Sequence, residues 1–378
     1  MEEKRNKLRV LHSAALLRPP SGICTQMDWE QEAAETLGID WKVKMFCPAG
    51  SKGGFKVMHF DPLLDAAKLK SAAGKLLAWV QLRQHYHDWL LSQQGDVDVF
   101  LLRYYVHDPF QLAFVKRCKK PVYFVHHTLE VPELALPGGV SGWVRATLET
   151  LIGKPTIAKA TGTVGVTQEI ADYELARAGV PDKPQYVYPN GIVFKEQELL
   201  DRRSADVPEF LFVANFAPWH GLDRLLASVA QSKEQFVLHL VGKVPESLLS
   251  RTRDPRIQVH GTLNHEQIAM LSQQCWVGLA SFALDRKKMK QACPLKVREY
   301  LMLGLPVYGD YEDVFSADVE YFRCGGNSIS EIVDFCQSVR RLMKNEISSL
   351  ARAAIDKTDL VGALHDRLVF ANPLNLAK

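Results

Sequence analysis

Short apolar runs alternate with longer mixed stretches along the whole chain. In the first half, residues 8–12, 41–46, 97–102, 121–125, 161–166 and 186–189 are apolar or β-branched runs of strand length. Such runs suit strands covered on both faces of a parallel sheet. Between them, helical periodicity predicts a helix over 26–37, a long helical region over 62–91 and a helix over 168–178. The loop over 18–25 carries prolines and Gly22, a residue that lets backbone approach a ligand such as a phosphate, or simply makes a turn.

The second half repeats the plan. Strands are expected at 210–214, 237–241, 257–260 and 276–280, with helices at 222–230, 265–273, 294–303 and 330–343. Residues 347–370 read as one or two further helices. Two successive sets of alternating strand and helix predict two α/β domains, each a doubly wound parallel sheet.

The sharpest chemistry lies in 291–309, QACPLKVREYLMLGLPVYG. Pro294 suits the first position of a helix, and Gly304 followed by Leu305 and Pro306 supplies the stop. At about 100° per residue, Leu295, Glu299, Met302 and Leu303 share one face while Val297 and Leu301 lie opposite. A carboxylate in an apolar stripe is costly unless something hydrogen-bonds it. Lys296 stands in the first turn, where the helix dipole and free N–H groups disfavour a cation unless an anion shares the site. A phosphate at that turn, with a diol bonded to Glu299 one turn deeper, describes a nucleotide sugar. The plainer alternatives are a solvated lysine and a glutamate paired with a structural arginine.

The run PLKVREYLMLGLPV resembles the donor-site helix of retaining glycosyltransferases of the GT-B fold, family 4, the glycosyl transferases of group 1. In that family two glutamates frame the site, one on the donor ribose and one, eight positions earlier, on the transferred sugar. Glu299 matches the ribose position, and the other falls on Gln291, an amide where the family has an acid. Asn190-Gly191-Ile192 resembles the hinge into the second domain, and NFAPWHG resembles the loop that holds the donor diphosphate. There Asn215 and His220 replace the family's arginine and lysine, leaving the diphosphate to Lys296, helix N-termini and a protonatable His220. His126, in the pair closing the 121–125 strand, matches a histidine that faces the reacting sugar.

The resemblance implies two Rossmann-like domains facing a cleft. The expected division is an N-terminal, acceptor-side domain over 1–194, a linker over 195–206, a donor domain over 207–345 and C-terminal helices over 346–378 that cross back to the first domain. It further implies metal-independent transfer of a hexose or N-acetylhexosamine unit from a nucleoside diphosphate sugar to a glycan or lipid-linked acceptor, with retention, in bacterial surface polysaccharide or glycoconjugate synthesis. Catalysis is assigned to His126, Gln291 and Glu299. Donor binding is assigned to Gly22, Asn215, His220, Pro294, Leu295, Lys296 and Glu299. No cofactor beyond the donor substrate is implied. The competing readings are a nucleotide-sugar epimerase of related fold and a non-catalytic subunit that binds a sugar nucleotide or glycan.

Composition narrows the picture slightly. The 378 residues are 47% hydrophobic and 24% charged with a net charge of +3, ordinary globular material and too mildly basic for a nucleic-acid footprint. The charged opening MEEKRNKLRV runs into a strand, and no window offers eighteen apolar residues, so neither a signal peptide nor a membrane span is expected. Seven cysteines without a Cys-x-x-Cys pair suit a reduced, cytoplasmic setting, with peripheral contact at the inner membrane face as a further expectation. The basic stretch over 62–91 can lie on anionic lipid, although packing on a sheet is favoured. Asp96 and Asp98 read as a turn before a strand and His85-Tyr86-His87 lacks a third ligand, so no metal site is expected.

Overall fold

The structure is a computed structural model that describes residues 8–65, 72–136, 138–194, 198–203 and 206–371. Lys68 and Lys70 of the basic stretch and parts of the expected linker lie outside the described residues. The chain divides into two compact units, one running to Pro189 and resuming at Lys357, the other spanning Asn190–Asp356.

The N-terminal unit is built on strands β1 (Val10–Ala15), β2 (Trp41–Ala49), β3 (Met58–Asp65), β4 (Val99–Arg103), β5 (Val122–His126), β6 (Gly162–Gly165) and β7 (Gln185–Val187). They form one sheet in the order β3-β2-β1-β4-β5-β6-β7, with every pair parallel. Its helices are α1 (Ser21–Leu37), α2 (Ala72–Ser92), α3 (Pro109–Arg117), α4 (Glu130–Ala135), α5 (Gly139–Lys159), α6 (Gln168–Ala178) and, from the end of the chain, α12 (Lys357–Ala371). Period-2 alternation splits the core. Leu11, Phe100, Leu102 and Phe124 face one layer, while Val10, Ala14, Val99, Leu101, Tyr123 and Val125 face the other together with Val361, Leu364 and Leu368 of α12.

Three expectations change here. Pro62 belongs to β3 rather than to a helix; β3 is an edge strand, where a residue without an N–H is tolerated. The long helix is described over Ala72–Ser92. Helix α1 begins at Ser21 directly after Pro20, which places Gly22 in its first turn and not in a loop.

The C-terminal unit carries β8 (Glu209–Val213), β9 (Val237–Val241), β10 (Ile257–Gly261), β11 (Val277–Leu279), β12 (Val307–Gly309) and β13 (Phe322–Cys324) in the order β10-β9-β8-β11-β12-β13, again all parallel. Helices α7 (Leu222–Gln231), α8 (His265–Ser272), α9 (Leu295–Met302), α10 (Ile329–Val339) and α11 (Lys344–Ile355) complete it. The fold class read from the sequence is the one observed, two parallel-sheet α/β domains.

Helix α9 is fixed from both ends. Pro294 is its N-cap, one position earlier than expected, with extended backbone at φ −78° and ψ 143°. At the other end Gly304 takes φ 69°; its N–H donates to Leu301 O and that of Leu305 to Tyr300 O, the paired bonds of a Schellman stop. Val297, Arg298, Tyr300 and Leu301 are buried, whereas Leu295, Glu299, Met302 and Leu303 form a half-exposed side. The helix is thus covered on one side only.

Candidate functional site

Three strand ends of the C-terminal unit supply the frame around α9. The loop after β8 turns at Gly221 (φ 71°), where an added Cβ would stand 2.6 Å from the Phe282 carbonyl carbon. Gly242, at the end of β9, has φ 119° and leaves room for Ala214 O, which a Cβ would meet at 1.9 Å. Tyr300 reaches from α9 to β8, its hydroxyl accepting from Val213 N at 2.7 Å, and its ring occupies space that Gly278 of β11 leaves open. Neighbouring strand ends and the start of α9 are therefore held in one rigid arrangement, at the carboxyl edge where α/β sheets bind ligands.

Lys296 is the anomaly within that frame. Its Nζ is buried and makes no hydrogen bond among the described residues; it lies 4.8 Å from the centre of the Phe212 ring. Burial alone holds the amine far below the ordinary lysine range, at about 7. Among the described residues the backbone N–H groups of Leu295 and Lys296 also lack a partner, as the first turn of a helix dictates. A buried amine and two open amides thus belong to the first turn of one helix.

His220 stands beside this point. Its Nδ1 accepts from Ala217 N at 3.0 Å, so the neutral ring carries its proton on Nε2 and can donate from there. Burial, followed by the nearby Lys296 charge, lowers it to about 4. The expected protonatable cation is corrected on this point: in the unliganded molecule His220 is a neutral donor at pH 7.

Glu299 lies on the half-exposed side of α9 and its carboxylate makes no hydrogen bond or ion pair among the described residues. Burial raises its pKa, while His265 at the start of α8 pulls the other way. Gln291 donates from Nε2 to Glu312 Oε2 at 3.3 Å, and the two segments are tied by Ala292 N to Glu312 O at 3.1 Å and Glu312 N to Lys290 O at 3.0 Å. Asn215 is exposed in the β8–α7 loop. Of the basic loop after β11, Arg286 is already committed, bidentate to Asp223.

Gly22 and His126 belong to the N-terminal unit. Gly22 is exposed, with open space where a Cβ would be. His126 is fully buried, its ring 4.4 Å from that of Tyr104 and its Nδ1 3.4 Å from Glu130 and 3.7 Å from Glu174. Tyr104 OH and Arg177 both donate to Glu149, and Arg177 also pairs with Glu174. Burial holds His126 at about 4 and raises Glu130 to about 8. The partly exposed histidine of the pair is His127, which the sequence reading passed over. Strand alternation was the available signal, since adjacent residues of a strand point to opposite faces.

Comparison with known proteins follows this geometry. Residues 207–309 match the family model described as glycosyl transferases group 1. This stretch of the C-terminal unit is therefore similar to the domain that the group 1 model describes. It includes Asn215, His220, Gln291, Pro294, Leu295, Lys296 and Glu299. A comparison with curated proteins finds no match. Among solved structures, a glycosyltransferase from Rickettsia africae is similar with a TM-score of 0.61 at 12% identity over 97% of this chain and 100% of that one. HepE of Anabaena in complex with UDP gives 0.61 at 13% over 96% and 99%. The lipopolysaccharide outer core galactosyltransferase WaaB, in its apo form, gives 0.59 at 13% over 96% and 99%. At such identities the likeness establishes the fold, that of GT-B glycosyltransferases.

Proposed function

We propose that the protein is a retaining, metal-independent glycosyltransferase that moves a hexose or N-acetylhexosamine unit from a nucleoside diphosphate sugar to a glycan or lipid-linked acceptor in bacterial surface glycan synthesis. The observation that carries this reading is the Lys296 amine, desolvated and without a hydrogen bond beside two open helix N–H groups. Desolvating a cation costs several kcal/mol unless it is paired, so a site that keeps one unpaired is poised for an anion. A diphosphate supplies it. On binding, it would favour the charged form of Lys296 and accept from the Leu295 and Lys296 amides and from His220 Nε2. Glu299, without a hydrogen bond or ion pair among the described residues, would accept from the ribose hydroxyls, and the Gln291 amide would bond the transferred sugar.

In this reading the acceptor hydroxyl attacks from the leaving-group face. The bond from the anomeric carbon to the phosphate oxygen breaks, the acceptor oxygen bonds on the same face, and its proton passes to the departing phosphate. The fixed donors around Lys296 stabilise the charge that grows on that phosphate. His126, sealed in its acid cluster, would act through the shape of the strand end rather than by touching sugar.

The decisive experiment is turnover of a panel of nucleotide sugars with glycan and lipid-linked acceptors, in EDTA, with the product's anomeric configuration read by NMR. Retained configuration at full rate supports the proposal; inversion, or a strict metal requirement, overturns it. Free epimerised sugar nucleotide without acceptor would establish the epimerase reading instead.

Membrane contact belongs to the same proposal. Helix α5 exposes Val140, Trp143, Val144, Leu148 and Leu151 at helical spacing, together with Arg145 and Lys154, while its one carboxylate, Glu149, is buried. That combination suits an anionic lipid surface. Co-sedimentation with phosphatidylglycerol vesicles, lost in Trp143→Glu and absent with phosphatidylcholine alone, is the expected result. No helix among the described residues is long and apolar enough to cross a membrane.

A further inference from the structure

The carboxyl edge of the N-terminal sheet carries a second set of cations that the donor site does not use. One face of this sheet runs through Val99 and Leu101 in β4 and through Tyr123 and Val125 in β5. Continued by one step of two residues, that face receives Arg103 at the end of β4 and His127 just past β5. The register pairs Arg103 with Val125, so the two lie on adjacent strands at the same edge. His12 falls on the same face of β1, between Val10 and Ala14, and Lys357 opens α12, whose Val361, Leu364 and Leu368 pack on this layer.

The anionic charge nearby is already spoken for. Glu30, buried at the heart of this layer, accepts from Trp41 Nε1 at 2.9 Å and Tyr188 OH at 3.0 Å, with His12 Nδ1 at 2.6 Å. Lys357 is buried with its amine 4.9 Å from the centre of the Tyr188 ring. Glu130, which feels the Arg103 charge, is pushed up to about 8 by its burial and then by Glu149, so it is largely protonated at neutral pH. Arg103 and His127 are both half-buried, and among the described residues neither makes a side-chain hydrogen bond or ion pair. Burial, and after it the charges of Arg103, His12, His126 and Lys357, pushes the His127 pKa well down and leaves a neutral ring able to donate one hydrogen bond.

We propose that Arg103 and His127 form an oxyanion subsite on the N-terminal unit, backed by the field of Lys357, that takes a phosphate or carboxylate group carried by the acceptor. The guanidinium supplies two parallel donors matched to an oxyanion and the imidazole a third. The word acceptor rests on the glycosyl-transfer reading; the subsite itself does not. It gives this chain a preference for acceptors that already bear an acid or a phosphoester, whose unsubstituted counterparts would be poor substrates.

The test is calorimetry on the full chain saturated with UDP, with glycerol 3-phosphate and glucuronate as probes and glycerol and glucose as their uncharged counterparts. Both anions should bind at least about tenfold more tightly than the uncharged pair, and Arg103→Gln should remove that advantage. Arg103→Lys should restore part of it and His127→Gln weaken it less, with UDP affinity unchanged in all three. Equal binding of charged and uncharged probes, anion affinity indifferent to Arg103→Gln, or displacement of UDP by glycerol 3-phosphate would each overturn the subsite. A wild-type chain that binds the anions but not UDP would sink the donor reading and leave the subsite standing.

Discussion

Two cations stand two residues apart on α9 and meet opposite fates. On one side Arg298 is fully buried, and its guanidinium is held by both oxygens of Asp313, at 2.6 and 2.5 Å, and by Asn190 O at 3.1 Å. On the other, the buried amine of Lys296 lies over the Phe212 ring near His220 and makes no hydrogen bond among the described residues. The burial is similar and the counter-charge is not. A cation whose donor nitrogens are each matched holds a structure together; one without a counter-charge in a fixed frame is suited to binding an anion.

The contrast gives graded expectations. Arg298→Ala should be the most damaging, destabilising by about 3–5 kcal/mol in chemical denaturation because Asp313 is left buried and unpaired. Lys296→Ala should instead leave stability unchanged or raised while weakening binding of the proposed nucleoside diphosphate by about 1.5–3 kcal/mol in calorimetry. If both variants lose stability alike, Lys296 is structural and the donor site fails. Glu299→Ala should weaken a UDP-sugar by about 1–2 kcal/mol, and unchanged affinity would remove Glu299 from the site.

The pH dependence of Lys296 has a definite sign. Its folded pKa of about 7 lies below its ordinary value of 10.5, so between these values the unfolded chain holds more protons than the folded one. Stability then rises with pH across that window, and the burial cost is fully present below about 7. Lys296→Met should make this slope shallower, leaving the part due to Lys344 at about 8, when wild type and variant are denatured side by side from pH 6 to pH 10. The smallest effect is expected of Gln291→Glu. With Glu312 at 3.3 Å, the added carboxylate creates a like-charged pair with a raised pKa, so the variant should lose a little stability on going from pH 5 to pH 8.

The sequence was most legible where local rules agreed. The α9 stop, the strand–helix alternation and the misplaced charge of Lys296 all rest on spacing within a few residues. Long-range pairings were not legible. Nothing between Arg298 and Asp313 announces their ion pair, and the partner of Gln291 comes from a loop after β12. Helix α3 was missed although Asp108 caps Phe110 and Gln111 and Pro109 follows it, a start signal present in the letters. Helix α5 begins at two positive-φ glycines and contains Pro155, so its periodicity is interrupted where a reader would look for it. Choosing between His126 and His127 needed the facing of β5, and that is set by which layers cover the sheet.

Tyr300 has a practical bearing on redesign. Because its hydroxyl pins α9 to the end of β8 and its ring fills the notch left by Gly278, α9 cannot be re-aimed piecemeal. On the proposed reading, attempts to change sugar preference should keep this clasp and vary Asn215 and Gln291, which lie outside it.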